Sequence, residues 1–160
     1  MKILAIDPSG NFKEGKGTSG FCFIEDGKPF LLSELKADGF EYAEDYWISH
    51  LSLIKQYKPD AVVVEGYRLY NHKGMKASSQ SNSELETVQL IGAIKVFCRE
   101  NLIPLDIQYA SEVKARWHED VLVRQGYLEK KGNRYYFKGE ITNTHKRDAL
   151  KHGLHYVRYK

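Results

Sequence analysis

Lys2-Ile3-Leu4-Ala5-Ile6-Asp7 is apolar until it stops at a carboxylate, and Pro8-Ser9-Gly10 follows as a turn signal with a mechanism. The stretch reads as a strand that ends in an acid. Ala61-Val62-Val63-Val64-Glu65-Gly66 repeats the design, with β-branched residues in an unbroken apolar run, then an acid and a glycine. The lack of alternation predicts a strand covered on both faces. Two acids at equivalent strand ends can lie side by side.

Outward from these runs, Thr18 to Glu25 and Lys28 to Lys36 flank Asp26-Gly27, a strong hairpin turn signal. The first three strands are therefore expected to form an antiparallel meander. From Tyr42 to Tyr57, Trp47, Ile48, Leu51 and Ile54 fall on one face at helical spacing, and Lys58-Pro59-Asp60 closes the element. Ser83-Glu84-Leu85-Glu86 makes a capping box for a second helix that ends before Pro104. Its apolar residues spread too widely for one buried face, which suits a core-central helix or one that also meets a second subunit. Leu105 to Tyr109 reads as a strand, and Ser111 as the cap of a short helix through Trp117. The last helix starts around Asn143 or Thr144. The order predicts a mixed α/β fold with ligands at strand ends.

On that last helix His145 and Asp148 are three residues apart and point the same way. Taken singly each has an ordinary explanation: Asp7 as a turn acid, His145 as a solvated helix start, Asp148 as a first-turn acid that suits the helix dipole. Glu65 is harder to dismiss, because a Glu closing a buried valine run is costly to bury unpaired. Carboxylates gathered in a small volume repel, and protonation, a basic partner or a divalent cation relieves them. Oxygen ligands favour Mg²⁺ or Mn²⁺, and two such ions about 3.5–4 Å apart can clamp the attacking and leaving oxygens of a phosphodiester. Asp7 would then bridge the ions, Glu65 and Asp148 would each ligate, and His145 would ligate or move a proton to or from water. His152 and His155 continue the stripe one and two turns further. They are read as packing or phosphate-facing residues, too distant to complete one centre.

The opening Ile-Leu-Ala-Ile-Asp-Pro, Thr18-Ser19-Gly20, the Val-Val-Val-Glu strand, Val113-Lys114 and the late His-Lys-Arg-Asp-Ala together resemble the RuvC group of Holliday junction resolvases, with phage-encoded members nearest in size. The resemblance follows element order over most of the chain. It implies a single ribonuclease H-like domain over residues 1–160, with a mixed five-stranded sheet of three antiparallel and then parallel strands flanked by helices. It also implies a homodimer and paired cuts across a four-way DNA junction. Asp7, Glu65, His145 and Asp148 match that family's metal-binding set, in which a His or an acid can occupy the place of His145. Ser9 departs from a common glycine, Phe12 to Gly17 lengthens the first hairpin, and Tyr127 to Gly139 looks like an insertion.

DNA contacts are expected from the connecting segments. Tyr67 to Lys76 follows Glu65 almost directly and mixes cations with aromatics, which suits phosphate neutralisation and stacking; Arg68, Tyr70, Lys73 and Lys76 are its candidates. Lys114 and Arg116, with Lys146 and Arg147 beside the ligands, are candidates to hold the scissile phosphate. Lys130 to Lys138 offers a second basic and aromatic stretch, read equally as a solvated hairpin whose Tyr135 and Phe137 face the core.

At 160 residues with a formal net charge of +3, the chain fits one domain with a proper core and permits a nucleic-acid partner without demanding one. Cys22 and Cys98 lie in apolar stretches without metal-ligand spacing, as buried thiols of a reducing compartment do. With neither a signal-peptide pattern nor an apolar run near the roughly 20 residues of a membrane span, a cytoplasmic protein is expected. Two other functions share these residues. Asp7 through Gly20 also looks like the phosphate loop of actin-like ATPases, although those pair two such domains around the nucleotide. A protein that holds branched DNA without cutting it would keep the basic segments and have no use for the acids.

Overall fold

The computed structural model describes residues 1–13, 17–68 and 85–160. Strands β1 (Lys2–Asp7), β2 (Thr18–Glu25) and β3 (Lys28–Lys36) form the expected meander, followed by helix α1 (Ala43–Tyr57) and strand β4 (Ala61–Glu65). Next come α2 (Glu86–Glu100), β5 (Leu105–Gln108), and two short helices, α3 (Ala110–Val113) and α4 (Glu119–Arg124). A small three-stranded sheet of β6 (Glu129–Lys131), β7 (Arg134–Phe137) and β8 (Glu140–Ile141) precedes the last helix, α5 (Thr144–Tyr159).

The main sheet has five strands in the order β3-β2-β1-β4-β5, with β1, β2 and β3 antiparallel and β1, β4 and β5 parallel. The unbroken apolar runs are explained by cover on both faces. Ile3, Ala5 and Val63 face Ala149, Leu150 and Leu154 of α5, whereas Leu4, Ile6, Val62 and Val64 face Ile54 of α1 and Leu90, Ile91 and Ile94 of α2. Each fully buried aliphatic side chain contributes about 1.5–3 kcal/mol. That outweighs local propensities of less than about 1 kcal/mol per residue and fixes these segments as central strands. At the β2–β3 turn Asp26 and Gly27 both have positive φ, 51° and 78°, as the tight hairpin requires.

The sequence reading needs three corrections. The buried stripe of α1 is Tyr46, His50 and Ile54, while Ile48 is exposed. The helix turns by about one residue because Tyr46 and His50 find hydrogen-bond partners inside: Tyr46 Oη donates to Ser9 O at 2.7 Å, and His50 Nε2 lies 2.7 Å from Ser19 Oγ. Ser111 is not a cap, since α3 starts at Ala110 with Tyr109 extended before it, and the chain to Trp117 continues as turns. Finally, the hairpin within Tyr127 to Gly139 gains an unforeseen third strand, β8, just beyond it; as in the hairpin reading, Phe137 is buried and Tyr135 packs against the same core cluster. The capping box at 83–86 falls partly outside the described residues. Within α2, Leu90, Ile91, Ile94 and Cys98 are buried and Val88 and Val96 exposed, so one face serves the core and another remains open. No helix among the described residues is long and apolar enough to cross a membrane.

Candidate active site

Sheet register places the acids. Ile6 pairs with Val64, so Asp7 and Glu65 leave adjacent parallel strands at the same level. Across β1, Asp7 stands opposite Gly20 of β2. A Cβ on Gly20 would lie 2.0 Å from the carbonyl oxygen of His145, so only glycine lets the first turn of α5 rest on β2. Asn143 caps that turn by accepting from the Lys146 N–H at 2.8 Å. His145 Nδ1 thereby comes to 3.3 Å from Asp7 Oδ2. Carboxylate oxygens of Asp7, Glu65 and Asp148 lie within 4.8 Å of one another. His145 stands beside this trio at the open rim, 44% exposed.

Three carboxylates this close require positive charge, and Lys114 supplies part of it with Nζ 3.0 Å from both Glu65 Oε1 and Asp148 Oδ2. Burial alone would lower the Lys114 pKa, but the charges of Glu65 and Asp148 more than reverse this and hold it raised. Burial pushes the Asp7 carboxyl up to about 7, with Glu65 and Asp148 adding to the rise against the His145 hydrogen bond. Burial also acts to raise Glu65, yet the neighbouring His152 ring, the Asp7 carboxyl and the Lys114 ammonium together bring it down to about 2. The Asp7 contact and charge raise His145 in turn. Asp7 is thus pushed up and Glu65 down, a divergence between neighbouring carboxyls that is typical of functional sites.

The donor set fits a hard divalent ion. It is all oxygen, Asp148 is buried with Asp7 and Glu65 partly so, and Glu65 Oε2 is a buried atom with no hydrogen-bond partner. Asp7, Glu65 and Asp148 are the residues that would hold such ions.

Two neighbours escaped the sequence reading. Lys151, buried, is ion-paired with Glu119 of α4 and lies 3.5 Å from Asp148 Oδ1; its place three residues after Asp148 was the available signal. His152 is not phosphate-facing: it is fully buried, with Nε2 3.5 Å from Glu65 Oε2 and Nδ1 3.0 Å from Gln108 Oε1. His155 is a packing residue, accepting from Trp117 Nε1 at 3.3 Å and stacking on Tyr159.

The expected phosphate contacts divide by position. Lys114 is at the acids. Lys146 stands in the first turn of α5 and lines a cleft of about 110 Å³ with Leu32, Phe137 and Thr142. Arg147 is tied to the Thr142 carbonyl at 3.1 Å and lies over the Tyr135 ring. Arg116 hydrogen-bonds Tyr159 at 3.0 Å, which is eleven residues or roughly 16 Å along α5 from Asp148, so it is not brought to the acids. Arg68 stacks on Tyr109 beside the strand ends, 3.5 Å from the ring centre. Tyr70, Lys73 and Lys76 lie outside the described residues.

No family model matches the chain, and no curated protein matches it by sequence. Solved structures do. RuvC of T. thermophilus in complex with a Holliday junction substrate superposes with a TM-score of 0.67 at 20% identity, covering 99% of this chain and 94% of that one. A structure of Thermus thermophilus RuvC alone gives 0.64 at 19% identity, over 98% and 94% of the two chains. Nearly the whole chain therefore has the RuvC-like form of the ribonuclease H fold.

Proposed function

We propose that the protein is a structure-specific endonuclease that resolves Holliday junctions and related branched DNA by hydrolysing phosphodiesters with two Mg²⁺ or Mn²⁺ ions, working as a homodimer. The observation that carries this reading is the convergence of Asp7 and Glu65, at the ends of parallel strands, with Asp148 of α5, all within 4.8 Å. A likeness in fold to a protein captured on a Holliday junction supports the substrate class.

Bound ions would polarise the scissile phosphate and make water a stronger nucleophile at neutral pH. The chain's own residues do the rest. Asp7, half-buried between Glu65 and the rim, would give up its proton as positive charge enters the pocket. His145, anchored through Nδ1 on Asp7 Oδ2, keeps Nε2 at the exposed rim, where it takes a proton from the attacking water. Lys114 holds two of the carboxylates in the free protein and turns its ammonium to the scissile phosphate when substrate arrives. Lys146, Arg68 and the exposed Lys130, Lys131 and Arg134 of the ribbon supply phosphate contacts for the arms. Tyr70, Lys73 and Lys76 are proposed to join them.

Labelled four-way, forked and linear duplexes incubated with Mg²⁺ or Mn²⁺ test the reading. Symmetric nicks in branched DNA are expected, reduced at least about 1,000-fold in Asp7→Asn, the scale of losing a metal-held transition-state contact. Equal digestion of linear duplex would indicate a general nuclease. Retarded mobility without nicking would indicate a binder, and ATP hydrolysis without nicking an actin-like ATPase.

A further inference from the structure

Ser9 and Gly10, just past the end of β1, are bound through their main-chain polar groups to side chains of three other elements. Ser9 N donates to Ser19 Oγ of β2 at 2.9 Å, and the Ser9 carbonyl accepts from Tyr46 Oη of α1 at 2.7 Å. Gly10 N donates to Thr87 Oγ1 of α2 at 3.1 Å, and the Gly10 carbonyl accepts from Trp47 Nε1 of α1 at 3.1 Å. The Ser9 bonds belong to a closed circuit. A carbonyl only accepts, so His50 Nδ1, 2.8 Å from the Tyr46 carbonyl oxygen, carries the hydrogen, and Nε2 presents a lone pair. Ser19 Oγ, 2.7 Å from Nε2, therefore donates to it while accepting from Ser9 N. From Ser9 the circuit runs through Ser19, His50 and Tyr46 and back to Ser9, with each hydrogen assigned and the imidazole neutral. Ser19, Tyr46 and His50 expose no surface, so water does not compete for these bonds.

We propose that Ser19, Tyr46 and His50 are positioning residues for the ion-binding pocket, their circuit fixing Ser9 and thereby the place from which Asp7 presents its carboxylate to Glu65 and Asp148. The inference rests on the reading of Asp7, Glu65 and Asp148 as ion ligands. Asp7 is the last residue of β1 paired with β2, and it lies past Ile6–Val64, the last pair with β4. Pro8 follows and has no N–H, so the next main-chain N–H that can anchor the chain is that of Ser9. Repulsion among the three carboxylates pushes Asp7 outward, and a strand end held on one side only would yield to it. With Ser9 pinned by both its N–H and its carbonyl, Asp7 is held from both sides.

The test uses the full chain with Tyr46→Phe, which removes only the hydroxyl on the Ser9 carbonyl, and Ser19→Ala, which opens the circuit at a second point. Binding of Mn²⁺ alone, measured by calorimetry without DNA, is expected to weaken about 10-fold in each. Cleavage of four-way DNA should lose kcat by about 10- to 100-fold with KM for DNA unchanged, because the circuit is buried and displaces the acid rather than a DNA contact. In ion-free, mildly alkaline buffer, Asp7→Asn removes the repulsion against which the circuit holds. Tyr46→Phe should then lower the melting temperature by about 2–4 °C more in the Asp7→Asn background than in the wild-type one, where loosening Asp7 relieves that repulsion. A circuit that only stabilises the core would give additive shifts. Unchanged Mn²⁺ affinity in both variants would overturn the proposal, and so would additive melting shifts. If Ser19→Ala does not fold, Tyr46→Phe decides by the same two readings. A wild-type protein that binds no ion would remove the metal reading instead, and the ion-free cycle would still settle whether the circuit holds Asp7.

Discussion

With its ammonium between Glu65 and Asp148, Lys114 neutralises in the free protein some of the charge that a divalent ion would neutralise in the working one. Lys114→Gln should therefore tighten Mn²⁺ binding in the absence of DNA by roughly 5- to 10-fold, the scale of a partly exposed ion pair worth about 1 kcal/mol, while slowing cleavage. Calorimetry showing equal or weaker binding would remove the competition argument. His50 gives a second residue-scale prediction. Its Nδ1 must donate to the Tyr46 carbonyl at 2.8 Å, so Nε2 accepts from Ser19, and burial lowers its pKa from 6.5 to about 4. Between those values the unfolded chain binds more protons than the folded one, so this site's stabilisation is complete above pH 6.5 and declines as pH falls toward 4. The decline, read as the difference in denaturant stability between wild type and His50→Asn, should approach about 3 kcal/mol. At this scale the sequence was most legible where chemistry and spacing coincided. Asp7 and Glu65 end apolar runs, and Asp148 follows His145 at helical spacing. His152 is packed, one of its two readings, but its place beside Glu65 was not foreseen, because its distance was counted along the helix axis from Asp148.

At the scale of elements, the site depends on how α5 meets β2. Gly20→Ala would place a methyl 2.0 Å from the His145 carbonyl oxygen, a backbone atom that cannot swing aside. The start of α5 must then shift. A destabilisation of about 1–3 kcal/mol is expected from overpacking, with a cleavage loss near 100-fold from a displacement on the order of 1 Å. Urea denaturation and nicking of four-way DNA check both, and full activity in a stable Gly20→Ala protein would contradict the geometry. The meander, the valine strand and the last helix were readable because hydrophobic runs and turn residues agree there. The α1 face was not, because two polar residues, Tyr46 and His50, are buried on hydrogen-bonding partners that only the folded chain assembles. The strand β8 contains two residues and carries no periodicity to read.

For the whole molecule, symmetric cleavage requires two copies of the site. The open face of α2 offers Val96, 58% exposed, and Val88, next to a cleft lined by Ile91, Gly92 and Lys95. Sedimentation at micromolar concentration should give a dimer, and Val96→Glu a monomer whose two nicks are no longer coupled in time. A monomeric wild type that still cuts symmetrically would exclude this face as the junction between copies. The meander, the covered faces and the placing of acids at strand ends followed from the chain's patterning, whereas the pairing partners of its cations did not, since long side chains choose among neighbours only after packing. The contact at Gly20 has one more consequence. Because main chain rests on main chain there, the gap between the β1 carboxylate and the α5 imidazole behaves as a caliper rather than a hinge: rotamer hopping elsewhere leaves its width alone, and the outer surface is free to diverge widely while the jaws keep their setting.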